Sequence, residues 1–178
     1  MTIHSDHPFA TPEGERDPLR RLRGRMPSPV SVWTTSSGGR RAGWTVSSLL
    51  VADGEPAQVL GLVDEDSDLA ESVLQSRTVA ISLLGWQHRT LADAFAGVGP
   101  APGGPFLLGR WTDTQWGPVL YDAIGWVGAR LTDPIPGHAG WALLLRAEIE
   151  QVRIGEASED AVLAYLRGRY RRLDSGVN

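Results

Sequence analysis

Three hydroxyl residues fall within four positions of one another in Gly43-Trp44-Thr45-Val46-Ser47-Ser48, at the end of a β-rich stretch. Grouped hydroxyls offer donors and acceptors to the polar edge of a ring or to a phosphate. A polar strand face accounts for the same spacing. Ser67 precedes an apolar helical pattern, where a hydroxyl caps the helix and the free N–H groups favour an anion. It follows the acidic run Asp64-Glu65-Asp66. His4 and His7 read as solvated residues of the N-terminal stretch, with a two-histidine metal site as the weaker alternative, and neither His88 nor His138 sits in HExxH or another metal-ligand spacing. No GxSxG elbow is present, and no GxGxxG follows a strand. Arg20, Arg21, Arg23 and Arg25 form a basic cluster, which reads as a solvated helix face or as an attractor of an anionic cofactor or partner.

Composition removes further chemistry. The chain has 178 residues, no cysteine and a net charge of −4. All 17 basic residues are arginine. Thiolate metal sites, disulfides, cysteine nucleophiles, Schiff-base lysines and P-loop lysines are therefore excluded. The acidic balance argues against a nucleic-acid partner. No stretch approaches the roughly 18 apolar residues of a membrane helix, and the N-terminus lacks a signal-peptide pattern. The expectation is a cytoplasmic chain of bacterial origin, with no membrane partner. Seven tryptophans argue for a packed core.

The elements that must position these residues follow from capping and periodicity. Residues 1–16 read as a loose tail and 17–178 as a single domain. Asp17-Pro18 starts a short helix. Val30–Thr35 alternates as a strand, residues 36–40 turn, and Ala42–Val51 continues as the second strand of a hairpin. Gln58–Val63, Val79–Leu84, Val119–Tyr121, Ile124–Leu131 and Trp141–Ile154 read as further strands. Helices are expected after Ser67, over Gln87–Ala96, and at the end, with Ser158 as cap and Ala161, Val162, Tyr165 and Leu166 as its apolar positions. Six or seven strands with few short helices favour a closed or split β-barrel over a doubly wound sheet.

In order, MPSPVSVWTT, GWTVSSLL, EPAQVLGL, Ser67, VAISLL, LADAFAG and PVLYDAIGW resemble the flavin reductase family, between about Asp17 and Ile154. The resemblance implies a mainly β fold with short helices: the FMN-binding split β-barrel, Greek-key type, as a homodimer. It also implies FMN or FAD as cofactor, NAD(P)H as reductant and a flavin-dependent monooxygenase as recipient of reduced flavin. By position, Trp44, Thr45, Val46, Ser47 and Ser48 line the flavin, and Asp53 stands where a serine is common. Ser67 matches the phosphate-binding serine, while His88, Arg89 and Phe95 resemble the region closing over the phosphate end.

A Gly-Asp-His triplet common on the nicotinamide side falls on Gly140-Trp141-Ala142, with His138 just ahead. His138 and Trp141 are thus the candidates there. This departure carries a second reading: a non-reductase split-barrel protein that binds FMN, a deazaflavin or another flat cofactor without efficient NAD(P)H oxidation. A purely structural domain is the third.

Overall fold

The computed structural model describes residues 17–155 and 162–174. Helix α1 (Pro18–Gly24) starts as its Asp-Pro signal predicts, with Asp17 Oδ1 accepting from the Leu19 N–H at 2.8 Å. After β1 (Ser28–Pro29), strands β2 (Ser31–Ser37) and β3 (Arg40–Val46) form a hairpin. Its turn residues Gly38 and Gly39 have φ of 57° and 79°, which glycine adopts without steric cost. Strands β4 (Leu49–Ala52) and β5 (Gln58–Val63) form a second hairpin. Next come α2 (Asp68–Ser76), β6 (Thr78–Leu83) and, beyond a 3-10 turn at Trp86–His88, α3 (Arg89–Phe95). Strands β7 (Trp111–Thr114) and β8 (Gly117–Leu120) make a separate ribbon. The chain continues through β9 (Gly125–Leu131), β10 (His138–Ala139), β11 (Ala142–Ile154), β12 (Val162–Leu166) and β13 (Arg169–Leu173).

The main sheet is antiparallel, in the order β3-β2-β6-β9-β11-β5-β4, with β10 paired to β11. Strand β11 is long enough to serve both halves: its first part pairs with β5 and its second with β9, across an irregularity between Ile149 and Gln151. The sheet curls until β3 approaches β5, giving a split barrel. A small sheet, β1-β12-β13, lies against it. Among the described residues no helix is long and apolar enough to cross a membrane.

Strand β2 is buried on both faces from Ser31 to Thr35, so its period-2 alternation does not separate a buried side from an exposed one. Trp33 faces a cluster inside the barrel with Val46, Val59, Val63, Leu69, Val73 and Leu145. Val32 points the other way, into a cluster with Val30, Leu84, Leu91, Phe95 and Leu163 under α3 and β12. The Trp33 ring occupies the space beside Gly61, where a Cβ would lie 2.4 Å from it. Its indole N–H donates to Ser31 Oγ at 3.1 Å, and Ser31 donates to the Val46 carbonyl at 2.7 Å.

Two element expectations are corrected. Ala42–Val51 is not one strand: it breaks at Ser47-Ser48, and β4 leaves β3 to pair with β5. Val162–Leu166 is strand β12, not a helix, because Arg167 and Gly168, with φ of 53° and 74°, form a two-residue turn that pairs it with β13. Ser158 and Ala161, expected in that helix, and the expected tail 1–16 lie outside the described residues. The short β1, β7, β8, β10 and β13 raise the strand count above the expected six or seven.

On the barrel's outer face, Trp116 lies over Gly128 and donates from Nε1 to Glu150, which also accepts from Arg130 Nε at 2.6 Å. Chiefly the Arg130 guanidinium, and next the Trp116 N–H, hold the Glu150 carboxyl below its ordinary range. A lowered native value means that this contribution is present above the unfolded-state pKa and is lost as pH falls through the native one. Glu150→Gln is expected to flatten the acid limb of a stability-versus-pH curve measured by urea unfolding. Ser31→Ala, which strands a buried indole N–H, should cost about 1–3 kcal/mol in the same assay. A Trp33→Phe background, which has no N–H to satisfy, should shrink that cost.

Candidate functional site

Three segments meet where β5 ends: the Ser47-Ser48 break, the β5–α2 turn and the β10–β11 hairpin. Backbone pairing fixes this meeting. The Leu62 N–H donates to the Ser48 carbonyl at 3.2 Å, Leu62 pairs with Leu144, and His138 pairs with Leu143. The β3–β4 break is what brings Ser47 there, since a continuous strand would have carried it past.

The hydroxyls divide sharply by task. Thr45 donates to the Ala92 carbonyl at 2.7 Å and ties β3 to α3. Ser48 donates to the Leu62 carbonyl at 2.9 Å. Ser67, 6% exposed, accepts from the Ala70 N–H at 3.2 Å as N-cap of α2 and donates to the Asp64 carbonyl at 2.6 Å. Ser47 is half-buried, and its hydroxyl has no hydrogen-bond partner among the described residues. Val46 is buried in the barrel core, and Trp44 packs against that core. Asp53 lies at the far end of β4 from Ser48, exposed, accepting from the Gly54 N–H at 2.9 Å.

The acidic run is partly committed. Asp64 Oδ1 accepts from the Asp66 N–H at 3.1 Å, and Glu65 Oε2 lies 2.7 Å from His138 Nε2. That second contact joins the run to the hairpin bearing Trp141, which is 94% exposed. Sequence reasoning did not foresee the Glu65–His138 pair, since the two residues lie 73 positions apart.

His88 and Phe95 belong to the second apolar cluster and its edge. The His88 ring is buried, with Nδ1 accepting from the Gly85 N–H at 3.0 Å and Nε2 3.4 Å from Asp122 Oδ2. A cavity of about 380 Å³ beside it is lined by residues including Leu91, Leu107 and Asp122. Phe95 rests on Gly43 and meets Phe106 edge-on, with ring centroids 4.9 Å apart. The Arg89 guanidinium covers the Trp86 ring at 3.9 Å and donates to the Trp86 carbonyl. An arginine three residues after a tryptophan was the available signal for that stack.

A fold of this topology with hydroxyls and a helix N-terminus at one corner defines a class, and comparison places the chain within it. The family model described as flavin reductase like domain matches residues 23–174, so the chain belongs to that family. The match extends past the expected limit at Ile154 into β13. The "FMN reductase (NADH) RutF 1" of Methylorubrum extorquens (strain PA1) is 32% identical over 157 residues, covering 86% of this chain and 74% of that protein. The "NADPH-flavin oxidoreductase" of Streptomyces viridifaciens is also 32% identical over 157 residues, covering 85% of this chain and 79% of that protein. Among solved structures, BorF, described as the flavin reductase component of a bacterial two-component tryptophan halogenase, superposes with a TM-score of 0.77 at 20% identity. That superposition covers 89% of this chain and 98% of BorF.

Because Ser67 is the N-cap of α2, Ser67→Ala should lower stability by about 1 kcal/mol, read by thermal unfolding.

Proposed function

We propose that the chain is an NAD(P)H-dependent flavin reductase: it takes FMN or FAD and a reduced nicotinamide, and releases reduced flavin to a partner monooxygenase. The carrying observation is the corner where the Ser47 hydroxyl, unpartnered among the described residues, the N-terminus of α2 and the β10–β11 hairpin converge within a chain of this family. The relatives named as NADH- and NADPH-dependent flavin reductases support the reading, and so does BorF's description as a reductase component.

Each group has a defined task in this reading. Bound flavin supplies the redox chemistry, as acceptor of hydride from the nicotinamide. Trp44–Ser48 present backbone and the Ser47 hydroxyl to the ring. The first turn of α2 faces the phosphate with its N–H groups and the positive end of its dipole. Ser67 acts there by holding that turn in shape, since its own proton goes to Asp64. His138 and Trp141 flank the nicotinamide side, with Glu65 fixing the histidine. Asp53, His88, Arg89 and Phe95 shape the surrounding scaffold. No acid–base dyad is needed, because the protein's work is to align two rings. In this reading the chain works as a homodimer, a state read from the family resemblance.

Flavin titration followed by tryptophan quenching, and then NADH and NADPH oxidation, tests this. Saturable quenching with flavin-dependent oxidation is the expected result. Binding without oxidation would instead favour the flat-cofactor carrier. Ser47→Ala should weaken flavin binding about three- to tenfold, the size of one hydrogen bond, with unchanged thermal stability.

A further inference from the structure

Eight of the chain's 17 arginines lie on α1, the residue after it, and the β12–β13 hairpin. These segments contain no acidic residue of their own; in sequence they are flanked by Asp17 and Asp174 and, outside the described residues, by Glu13, Glu15, Glu156, Glu159 and Asp160. The segments are physically joined: the Arg167 N–H, at the hairpin turn, donates to the Gly24 carbonyl at the end of α1 at 2.7 Å. Ser28 and Pro29 then pair with Tyr165 and Ala164. Only Arg172 of the eight has an ion pair among the described residues, with Asp174 at 2.7 Å. Arg20, Arg21, Arg23, Arg25, Arg167, Arg169 and Arg171 have neither an ion pair nor a side-chain hydrogen bond among the described residues, and all but Arg21 are exposed.

Of the described arginines elsewhere, all but Arg153 have a side-chain partner. Arg41 pairs with Asp113, Arg130 with Glu150 and Arg146 with Asp133. Arg77 binds the carbonyls of Leu131, Asp133 and Pro134, while Arg89 and Arg110 cover Trp86 and Tyr121. Among the described residues, the arginines without a side-chain partner thus fall mostly on these joined segments, Arg153 on β11 being the exception. Leu19, Leu22 and Met26 stand among them, exposed by 69%, 59% and 60%.

We propose that this face docks an acidic protein surface, that of the oxygenase receiving reduced flavin; the proposal rests on the reductase reading above. Massed like charges repel one another and project a positive potential over roughly 8 Å at physiological salt. Such a potential steers and orients an anionic partner. The exposed aliphatic residues select the partner's class. Arginine and methionine are enriched in protein interfaces, where apolar side chains gain by burial. A nucleic-acid backbone offers them nothing comparable. The exposed aliphatics of these segments, Leu19, Leu22, Met26, Val162 and Leu173, come without an exposed aromatic of the kind that anchors a segment in a bilayer surface. The location suits delivery: α1 leads through β1 to Ser31, whose hydroxyl holds the Val46 carbonyl next to Ser47. A partner seated on α1 therefore meets the barrel at the end of β2 nearest the candidate flavin corner.

The test uses poly-L-glutamate as the acidic probe, with duplex DNA and phosphatidylserine vesicles as competitors, at low and physiological salt. The wild-type chain should bind polyglutamate with salt-sensitive affinity, and more tightly than either competitor. Arg20→Glu/Arg23→Glu/Arg169→Glu should lose at least about tenfold, and the corresponding triple glutamine variant an intermediate amount. Arg153→Glu, a charge reversal on β11, should stay within about twofold. NAD(P)H oxidation with free flavin should be equal in all four proteins. Equal losses in the triple glutamate variant and Arg153→Glu would overturn the proposal. Preference for DNA or vesicles would do the same, as would altered sedimentation of the triple variant, which would assign the face to a second copy of the chain. Absence of NAD(P)H oxidation in the wild type would sink the reductase reading separately.

Discussion

A buried indole N–H sets the geometry of this barrel. Trp33 fills the interior only because Gly61 leaves room for its ring. Once there, its N–H is cut off from water and must find an acceptor, since an unpaired buried donor carries a large desolvation penalty. Ser31 accepts it and passes its own proton to the Val46 carbonyl. This relay pins the end of β3 to the start of β2. Directly after Val46 the chain breaks from β3 and crosses to β5, so the position of Ser47 follows from how one tryptophan is packed.

The corner beyond Val46 shows how few of its polar groups remain available. Thr45, Ser48 and Ser67 all stabilise connections between elements, and Ser47 alone of the four hydroxyls has no protein partner among the described residues. The acidic run ahead of α2 is disposed in the same way, with Glu65 tied to His138 and Asp64 to a backbone N–H. In the proposed reading, the flavin then meets mostly backbone, one hydroxyl and a helix terminus. That suits chemistry in which two flat molecules are aligned and the reactive centre belongs to one of them.

Charge is distributed as unevenly as polarity. Around the barrel wall arginines are used structurally, paired with Asp113, Asp133 and Glu150 or laid across aromatic rings. At α1 and β13 they are not. Arginines on β13, an edge strand, also discourage edge-to-edge pairing with another sheet, so part of that positive charge protects the fold. Edge protection does not account for Arg20, Arg23 and Arg25, which lie on or just after a helix.

Local chemistry determined much of this protein. The Asp17-Pro18 start, the Gly38-Gly39 turn, the Ser67 cap and the β-branched run that makes a strand from Ser31 are set by residues a few positions apart, and the structure follows them. The order of those elements was enough to suggest the split barrel and its family. Tertiary structure decided the rest. Val162, Tyr165 and Leu166 have helical spacing, yet β1 on one side and β13 on the other supply strand partners that no local window contains. Ala42–Val51 reads as one strand because nothing nearby marks Ser47-Ser48 as a crossing; the crossing exists because β5 is there to pair with β4. The same reason governs the site. A hydroxyl's type is written in the sequence, but whether it is free for a ligand depends on carbonyls such as those of Ala92 and Leu62, brought to it from elsewhere in the chain.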